Sequence, residues 1–302
     1  MALTMSAGTV WAQDEDMEDD VAEEEGMEDE GMADDGMADD GMADEGSGEA
    51  AATDVAPEEP APAMGVGPFT KASYPKAVID RPLTLPKGMI ELTGAIVHSA
   101  ISINEGGISI TGDSTALGVS ASYGVLDELT VGLGTALILD PDLEWSESFD
   151  IGALYLVHDT AKLDVTAGLQ IPLRFGEGED VLPGVVLEAP TRFLATDKIF
   201  VFGGNDLLPI NFDPSALDLN VNVGGGFQIT PELVATLDTQ VVSLAISGDG
   251  NDTTSLGDFI PVSINGLYAI SNVLDVFAGV DFPSIEDAGD FYSISAGANF
   301  RL

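Results

Sequence analysis

The sequence predicts an all-β fold: a single antiparallel, up-and-down transmembrane β-barrel of about 12 strands that follows a disordered acidic N-terminal segment. Three observations lead to this prediction. Long segments alternate between apolar and polar side chains, and the connectors between them alternate between short turns and longer polar loops. No apolar run reaches the ~18–20 residues that a membrane helix needs, so strands are the elements left to cross a bilayer.

The clearest unit is the hairpin over residues 216–246. Alternate positions of its first limb are mainly apolar, namely Leu217, Leu219, Val221, Val223, Gly225 and Phe227. The positions between them are polar or small, namely Asp218, Asn220, Asn222, Gly224, Gly226 and Gln228. Because alternate side chains of a strand point to opposite faces, this limb has one apolar face and one hydrophilic face. Each limb is longer than the ~5–6 residues of an ordinary strand and suits the ~9–11 residues that a tilted transmembrane strand needs.

The same pattern, imperfect in the first and sixth segments, predicts strands at 88–103, 114–124, 129–139, 148–157, 162–174, 184–194, 198–204, 216–228, 233–246, 257–270, 273–283 and 290–302. Short turns are expected at 125–128, 158–161, 195–197, 229–232 and 271–272, with longer loops between the other pairs. Outer-membrane barrels have this asymmetry, with short periplasmic turns and longer external loops. Pro172, Pro190 and Pro261 fall inside predicted strands and need bulges or strand ends, because proline cannot donate to a ladder.

Aromatic residues gather near both ends of the predicted strands. Those near the short turns are Tyr123, Tyr155, Phe193, Phe227, Tyr268 and Phe300. Those near the longer loops are Trp145, Phe149, Phe175, Phe212, Phe259, Phe282 and Tyr292. Two belts of amphipathic rings are typical of the two interfaces of a membrane.

The chain before the barrel divides into three parts. Residues 1–12 are interpreted as the remnant of a signal peptide, because an apolar stretch ends in small residues. Residues 13–68 hold a five-residue acidic repeat and an Ala/Pro linker, and like-charge repulsion predicts disorder there. Residues 69–87, called the lead-in below, carry four of the nine basic residues: Lys71, Lys76, Arg81 and Lys87. Either the lead-in lies in the barrel mouth and meets acidic lumen groups, or it is a loose connector.

Composition and motifs exclude several function classes. The chain has 53 acidic and 9 basic residues, so no basic surface can neutralise nucleic-acid phosphates, and nucleic acid is not expected as a partner. There is no cysteine, hence no disulfide or thiolate chemistry. Of the two histidines, His98 and His158, neither belongs to a readable Ser-His-carboxylate arrangement, and no enzyme, cofactor or metal site is predicted. Gly224–Gly226 is followed by no helix and is interpreted as a site of close packing.

The hydrophilic faces supply the predicted lumen. Its expected lining comprises Asp164, Gln170, Arg174, Glu188, Arg192, Asp218, Asn220, Asn222, Asp238, Gln240, Asp275, Asp281 and Arg301. Carboxylates outnumber cations in this set, so a water-filled lumen would favour cations over anions. If the lumen is filled, these groups must instead pair with one another or with the lead-in.

The last strand carries a family resemblance. Tyr292, Ile294, Ala296, Ala298, Phe300 and Leu302 resemble the C-terminal strand of Gram-negative outer-membrane barrels, which the barrel assembly machinery recognises. Tyr292, Phe300 and Leu302 match its insertion signal, although the terminal residue is Leu and not aromatic. The run from Ser122 to Gly134 is similar to the strand-turn-strand units of the phenol-degradation MetA-type transporters.

This resemblance implies a porin-like channel in outer-membrane lipid that passes small solutes passively, with the acidic segment in the periplasm. Two alternatives stay open. One is a structural envelope protein whose acidic tail binds a partner or cations, and the other is a soluble secreted β-sandwich.

Overall fold

The computed structural model describes residues 69–105, 108–141, 143–176, 181–212, 215–247, 253–255, 260–284 and 291–302. A 3-10 turn, η1 (Val78–Asp80), comes before the sheet. The strands are β1 (Ile90–Glu105), β2 (Ile108–Leu126), β3 (Leu129–Asp140), β4 (Glu144–Trp145), β5 (Ser148–Asp159), β6 (Leu163–Arg174), β7 (Gly184–Glu188), β8 (Thr191–Leu194), β9 (Ile199–Gly203), β10 (Leu208–Phe212), β11 (Ser215–Gln228), β12 (Leu233–Ser247), β13 (Thr253–Ser255), β14 (Val262–Ala269), β15 (Leu274–Phe282) and β16 (Phe291–Arg301). The acidic segment and residues 1–12 lie outside the described residues.

The strands form one closed antiparallel barrel. Neighbours in sequence pair with each other, and β1 pairs with β16 from Glu91↔Arg301 to Ile101↔Phe291, which closes the sheet on itself. The 16 segments occupy 12 positions, because β4 and β5, β7 and β8, β9 and β10, and β13 and β14 each share one. This confirms the predicted barrel of about 12 strands and rules out the β-sandwich.

The two faces of the strands differ as predicted. On β5, Phe149, Ile151, Tyr155 and Val157 are exposed, while Leu154 and Leu156, which alternate with the last two, are buried. All six aromatic residues assigned to the short-turn belt are exposed on the outer face, at 42–52%. In the second belt Trp145, Phe149, Phe175 and Phe212 are exposed, whereas Phe282 and Tyr292 are half-buried and Phe259 lies outside the described residues. The outer face is therefore apolar and unpaired with any second layer in the described structure.

Two expected loops turn out to be strand. Residues 104–113 were expected to form a long loop, but β1 and β2 continue to the pairs Asn104↔Ser109 and Glu105↔Ile108. Residues 203–215 contain β10, which pairs with β7 on one side and β11 on the other. The polar composition of these segments suggested loops, but β-propensity depends on context, and pairing with a neighbouring strand overrides it here. The expected alternation of short turns and long loops therefore fails at the first hairpin.

The three prolines that the sequence placed inside strands lie where no ladder bond is lost. Pro190 separates β7 from β8, at a point where the Ala189 N–H donates to the Gly204 carbonyl in the gap between β9 and β10. Pro261 precedes β14. Pro172 lies beyond the β6–β7 ladder, which covers only Gly168–Gln170 on β6. Closure of the barrel is thus compatible with all three positions.

No helix among the described residues is long and apolar enough to cross a membrane.

Candidate functional site in the short-turn mouth

The lead-in lies inside the mouth of the barrel at the short-turn end. Its backbone and side chains contact strand ends from β3 round to β16, including Thr130, Arg192, Gln228, Asp275 and Arg301. Thr130, Arg192, Gln228 and Asp275 stand beside short turns, and Arg301 ends β16 opposite Glu91 at the start of β1, so the contacts lie at one end of the barrel. Of the two alternatives left open by the sequence, these contacts show the first: the lead-in meets acidic lumen groups.

A buried charge cluster holds Arg81 of the lead-in. Its guanidinium donates to both carboxylate oxygens of Asp275, at 2.8 and 2.9 Å, and also donates to the carbonyl oxygens of Pro75 and Lys76. Arg301 donates to the same Asp275 carboxylate and pairs through Nε with Glu91 Oε2 at 2.7 Å. All four charged residues of this cluster are at most 4% exposed. Two cations thus face two carboxylates with little solvent between them, which is the arrangement that buried charges need.

Tyr74 packs over the same cluster. The centroid of its ring lies 4.5 Å from the Arg301 Cζ and 5.5 Å from the Arg81 Cζ, which are cation–π distances. Burial and the nearby Glu91 carboxylate raise the pKa of the Tyr74 hydroxyl to about 12. The hydroxyl therefore stays neutral to a higher pH than that of an exposed tyrosine, and the ring covers the ion pairs.

A second ion pair is hydrogen-bonded to the backbone of the lead-in. Arg192, on β8, donates to Asp164 Oδ2 at 2.6 and 3.2 Å. The same guanidinium donates to the backbone carbonyl oxygens of Val78 and Arg81. Because Arg192 is 2% exposed, its donors depend on these partners and not on water. Arg192 therefore joins the wall of the barrel to the lead-in.

An apolar cluster packs against η1. Ile79, 4% exposed, packs with the inward-facing Phe200, Phe202 and Val234. The Ile79 N–H donates to Gln228 Oε1 at 3.2 Å, so the turn is fixed by one polar and several apolar contacts. The Phe202 ring lies over Gly224 and the Phe200 ring over Gly226, so the close packing that the sequence suggested for Gly224–Gly226 is found at two of its three glycines and not at Gly225.

The C-terminal part of the lead-in is fixed to β2 and β3. The Leu85 N–H donates to Thr130 Oγ1 at 2.7 Å, and the Thr84 hydroxyl donates to the Asp127 carbonyl. Gly124 lies so close to the Pro86 carbonyl that an added Cβ would be 2.1 Å from its oxygen. This close approach requires glycine at position 124 and leads the chain directly into β1.

The predicted lumen residues fall into two groups. Asp164, Arg192, Asp275 and Arg301 are buried against or beneath the lead-in. The others lie farther from the short turns, namely Gln170, Arg174, Glu188, Asp218, Asn220, Asn222, Asp238, Gln240 and Asp281.

Amide side chains in the second group bond to one another and to the backbone. Gln240 Nε2 and the Ser243 hydroxyl both donate to Asn220 Oδ1, at 3.0 and 3.2 Å. Asn222 accepts from the Gly204 N–H and donates to the Asn205 carbonyl, and so bridges the gap between β9 and β10. Asn211 donates to Asp218 at 3.3 Å. These contacts hold polar side chains along the inner wall.

Some carboxyl groups of the second group lie near other carboxyl groups. Glu188 lies over Gly168 and within the electrostatic reach of Asp206. Asp238 and Asp281 both pair in the sheet with Ser263, which places them on one rung and lets their charges interact. The inner wall above the lead-in therefore holds several carboxyl groups near one another. Within the described residues, no group of three acidic, histidine or cysteine side chains is placed to hold a metal ion.

Sequence reasoning missed parts of this site. Arg81 and Tyr74 were not named as site residues, although the prolines around them and the excess of positive charge mark the lead-in as distinctive. Asp206 was missed because it lies in an expected loop. Ion pairs that join residues 194 positions apart, as Arg81 and Asp275 do, leave no local signal.

A closed antiparallel barrel with an apolar outer face, ringed by exposed aromatic residues, is the architecture of proteins that cross the outer membrane. The fold defines this chain as a bacterial outer-membrane β-barrel, as the sequence predicted.

Several solved structures resemble the chain at low sequence identity. They include the KdgM porin (TM-score 0.44, 9% identity, covering 68% of this chain and 98% of that one). An outer membrane channel from Pseudomonas putida F1 matches with a TM-score of 0.43 and 12% identity, covering 72% of this chain and 97% of that one. The translocator domain of autotransporter NalP from Neisseria meningitidis matches with a TM-score of 0.44 and 12% identity, covering 72% and 90%. No protein-family model and no curated protein sequence matches the chain.

Proposed function

We propose that the barrel is an outer-membrane channel for the passive passage of small solutes, with a mild preference for cations. The observation that supports this most directly is the contrast between the two groups of charges inside the barrel. Arg81, Arg192 and Arg301 are all neutralised by buried carboxylates at the short-turn end. Above them, Asp238 and Asp281 lie on either side of Ser263 in the sheet, and Glu188 lies near Asp206.

Fixed negative charge on the wall of a water-filled path attracts cations and repels anions. We assign the predicted lining residues Gln170, Arg174, Glu188, Asp218, Asn220, Asn222, Asp238, Gln240 and Asp281 to this path. The amide network around Asn220 would keep the wall hydrophilic without adding charge. Asp275, which the sequence also placed in the lumen, is 0% exposed and serves the lead-in in this assignment.

The reversal potential across a planar bilayer with a KCl gradient tests this function. The wild-type barrel should give discrete conductance steps and a reversal potential of the sign that K⁺ selectivity produces. The double variant Asp238→Asn/Asp281→Asn should shift that potential toward zero, because the charged rung is lost. Asp197→Asn/Glu128→Gln removes the same two charges from exposed positions in short turns and should leave the potential unchanged. Equal potentials for all variants would contradict the cation preference and leave the channel intact.

We also propose that the acidic segment lies in the periplasm, since the lead-in enters at the short-turn end, which is periplasmic in barrels of this class. Deleting residues 14–59 should leave conductance unchanged if the barrel is a channel in its own right. Loss of an envelope phenotype with conductance intact would favour the structural role instead, in which the acidic tail binds a partner or cations.

The last strand supports a proposal on assembly. Leu302 closes the barrel by exchanging backbone hydrogen bonds with Ile90, at 2.8 and 3.1 Å, and the Phe300 ring is exposed on the outer face. We propose that Tyr292, Phe300 and Leu302 are read by the barrel assembly machinery. Phe300→Ala should lower the yield of folded barrel in outer membranes more than Phe193→Ala, which removes an exposed ring from the same belt.

A further inference from the structure

The wall of the barrel carries one extra residue between the end of β9 and the start of β10. β9 pairs with β11 as far as Gly203↔Val223, and the ladder resumes where the Asn220 N–H donates to the Leu207 carbonyl oxygen at 2.8 Å. Residues 204–206, called the bulge below, therefore stand opposite only two residues of β11. A bulge of this kind interrupts strand pairing and re-aims a side chain, and bulges are common beside functional sites.

The backbone of the bulge is left-handed at both of its ends. Gly204 and Asp206 have φ of 82° and 47°, and Asp206 is the only non-glycine residue with a positive φ in the described part of the chain. Glycine is required at position 204, because an added Cβ would lie 2.1 Å from the Ala189 carbonyl oxygen. Aspartate tolerates the left-handed conformation better than most residues, but it still has a cost. Such a residue is a reason to look for a function at the place where it occurs.

The Asn222 side chain holds the bulge on the lumen side of the wall. Its Oδ1 accepts from the Gly204 N–H at 2.7 Å, and its Nδ2 donates to the Asn205 carbonyl oxygen at 2.6 Å. Asn222 lies on the inner face of β11, because the next residue, Val223, is exposed on the outer face. The backbone that Asn222 binds therefore protrudes into the lumen and narrows it.

The carboxyl group of Asp206 also lies on the lumen side. The Glu188 carboxylate lies beside the Asp206 backbone N–H, and the Asp150 carboxylate lies within electrostatic reach of Asp206. Asp150 is on the inner face of β5, between the exposed Phe149 and Ile151. Because β6 and β7 lie between β5 and β10 in the sheet, the carboxyl groups of Asp206 and Asp150 approach each other over the lumen and not along one pair of strands.

We infer that the bulge is the constriction of the channel, and that Asp206 is the residue that determines which solutes pass through it. This inference rests on the proposed channel function and names the residue that selects among solutes. A carboxylate at the narrowest point of a water-filled path favours small cations, inorganic or organic, and repels anions. Asn222 is a positioning residue, since it holds the bulge in the lumen and carries no charge.

Thiol modification tests the position of the constriction. The chain has no cysteine, so Asp206→Cys supplies a single thiol. Reaction with a methanethiosulfonate that carries a trimethylammonium group should lower the single-channel current about twofold or more, because the adduct adds bulk and positive charge at the narrowest point. Ser295→Cys places the thiol elsewhere on the inner wall, next to the exposed Ile294, and should lower the current less. Asp197→Cys, in an exposed short turn, should leave the current unchanged.

Two further substitutions separate the charge of the constriction from its shape. Asp206→Asn keeps a side chain that tolerates the left-handed conformation, and should shift the reversal potential in a KCl gradient toward zero. Asn222→Ala removes the two bonds that hold the bulge, and should let larger poly(ethylene glycol) molecules enter and reduce the conductance. Heat-modifiable gel mobility identifies the folded barrels to be compared.

The outcomes distinguish the failure of this inference from the failure of the proposed function. If Asp206→Asn leaves the reversal potential unchanged while Asp238→Asn/Asp281→Asn shifts it, Asp206 does not select among solutes and the cation preference survives. An equal loss of current after modification of Asp206→Cys and Ser295→Cys would place the constriction elsewhere and overturn the inference. Folded barrels that pass no current in any form would overturn the channel function, and the role of Asp206 with it.

Discussion

The ring of Phe200 on β9 lies directly over Gly226 on the neighbouring strand β11. A Cβ at position 226 would lie 2.0 Å from the Phe200 Cζ, so no larger residue fits without moving the ring. The same ring packs against Ile79, so one glycine on the wall determines where the lead-in can sit.

Gly226→Ala should therefore destabilise the barrel. Overpacking a well-filled site costs typically ~1–3 kcal/mol, which lowers the urea concentration at the midpoint of unfolding. Gly225→Ala is the matched control, because nothing lies within 4 Å of an added Cβ there. Equal midpoints for the two variants would show that Phe200 does not occupy this position in the folded barrel.

Leu133→Arg tests the assignment of the outer face to lipid. Leu133 is 55% exposed on β3, and a charge facing the middle of a bilayer costs ~2–4 kcal/mol. The measurement is the free energy of unfolding in liposomes, compared with Leu143→Arg, which changes a more exposed leucine outside the strands (74%). Leu133→Arg should be destabilising and Leu143→Arg nearly neutral. A neutral Leu133→Arg would mean that this face meets water.

Arg192→Met should destabilise the barrel strongly, because Asp164 would keep a buried charge without its partner. Breaking a buried pair in this way costs ~3–5 kcal/mol. Replacing both members, as Arg192→Met/Asp164→Leu, should recover part of the loss in free energy of unfolding, since no unpaired charge remains. Lys198→Met, which changes an exposed residue near the same turn, should have little effect. A double variant that is as unstable as the single one would contradict the pairing.

Tyr74 should titrate later than an exposed tyrosine. Its pKa is raised from 10.0 to about 12, so the folded state favours the neutral hydroxyl. The corresponding stability is complete below pH 10 and is lost as the pH rises through about 12. The absorbance of tyrosinate, taken as the wild type minus Tyr74→Phe, should show one group that ionises near pH 12 when folded and near pH 10 when unfolded. A difference spectrum with its midpoint near 10 in the folded barrel would show that Tyr74 is not buried in the ion-pair cluster.

The sequence predicts the barrel well because its signal is local. A period of two along each strand is visible in a short window, and it places Phe149, Ile151 and Tyr155 on the outer face without knowledge of their neighbours. The turns at 229–232 and 271–272 are equally local, and β11, β12 and β15 begin and end within a few residues of their predicted bounds. The prediction was wrong at residues 104–113 and 203–215, because their polar composition resembles that of a loop.

The contacts that hold the lead-in in the mouth of the barrel could not be predicted in the same way. Arg174 and Arg192 both stand on the hydrophilic parity of a strand, yet Arg192 is buried under the lead-in and Arg174 is exposed. What separates them is contact with Val78 and Arg81, more than 100 positions earlier in the chain. Such pairings depend on how the closed barrel brings distant strand ends together, and no local pattern encodes them.

The most direct test of the account is single-channel recording from the folded, heat-modifiable barrel in a planar bilayer with a KCl gradient, comparing the wild type with Asp238→Asn/Asp281→Asn. The account predicts discrete conductance steps from both, with a reversal potential closer to zero for the double variant. Folded barrels that insert and pass no current in either form would contradict it.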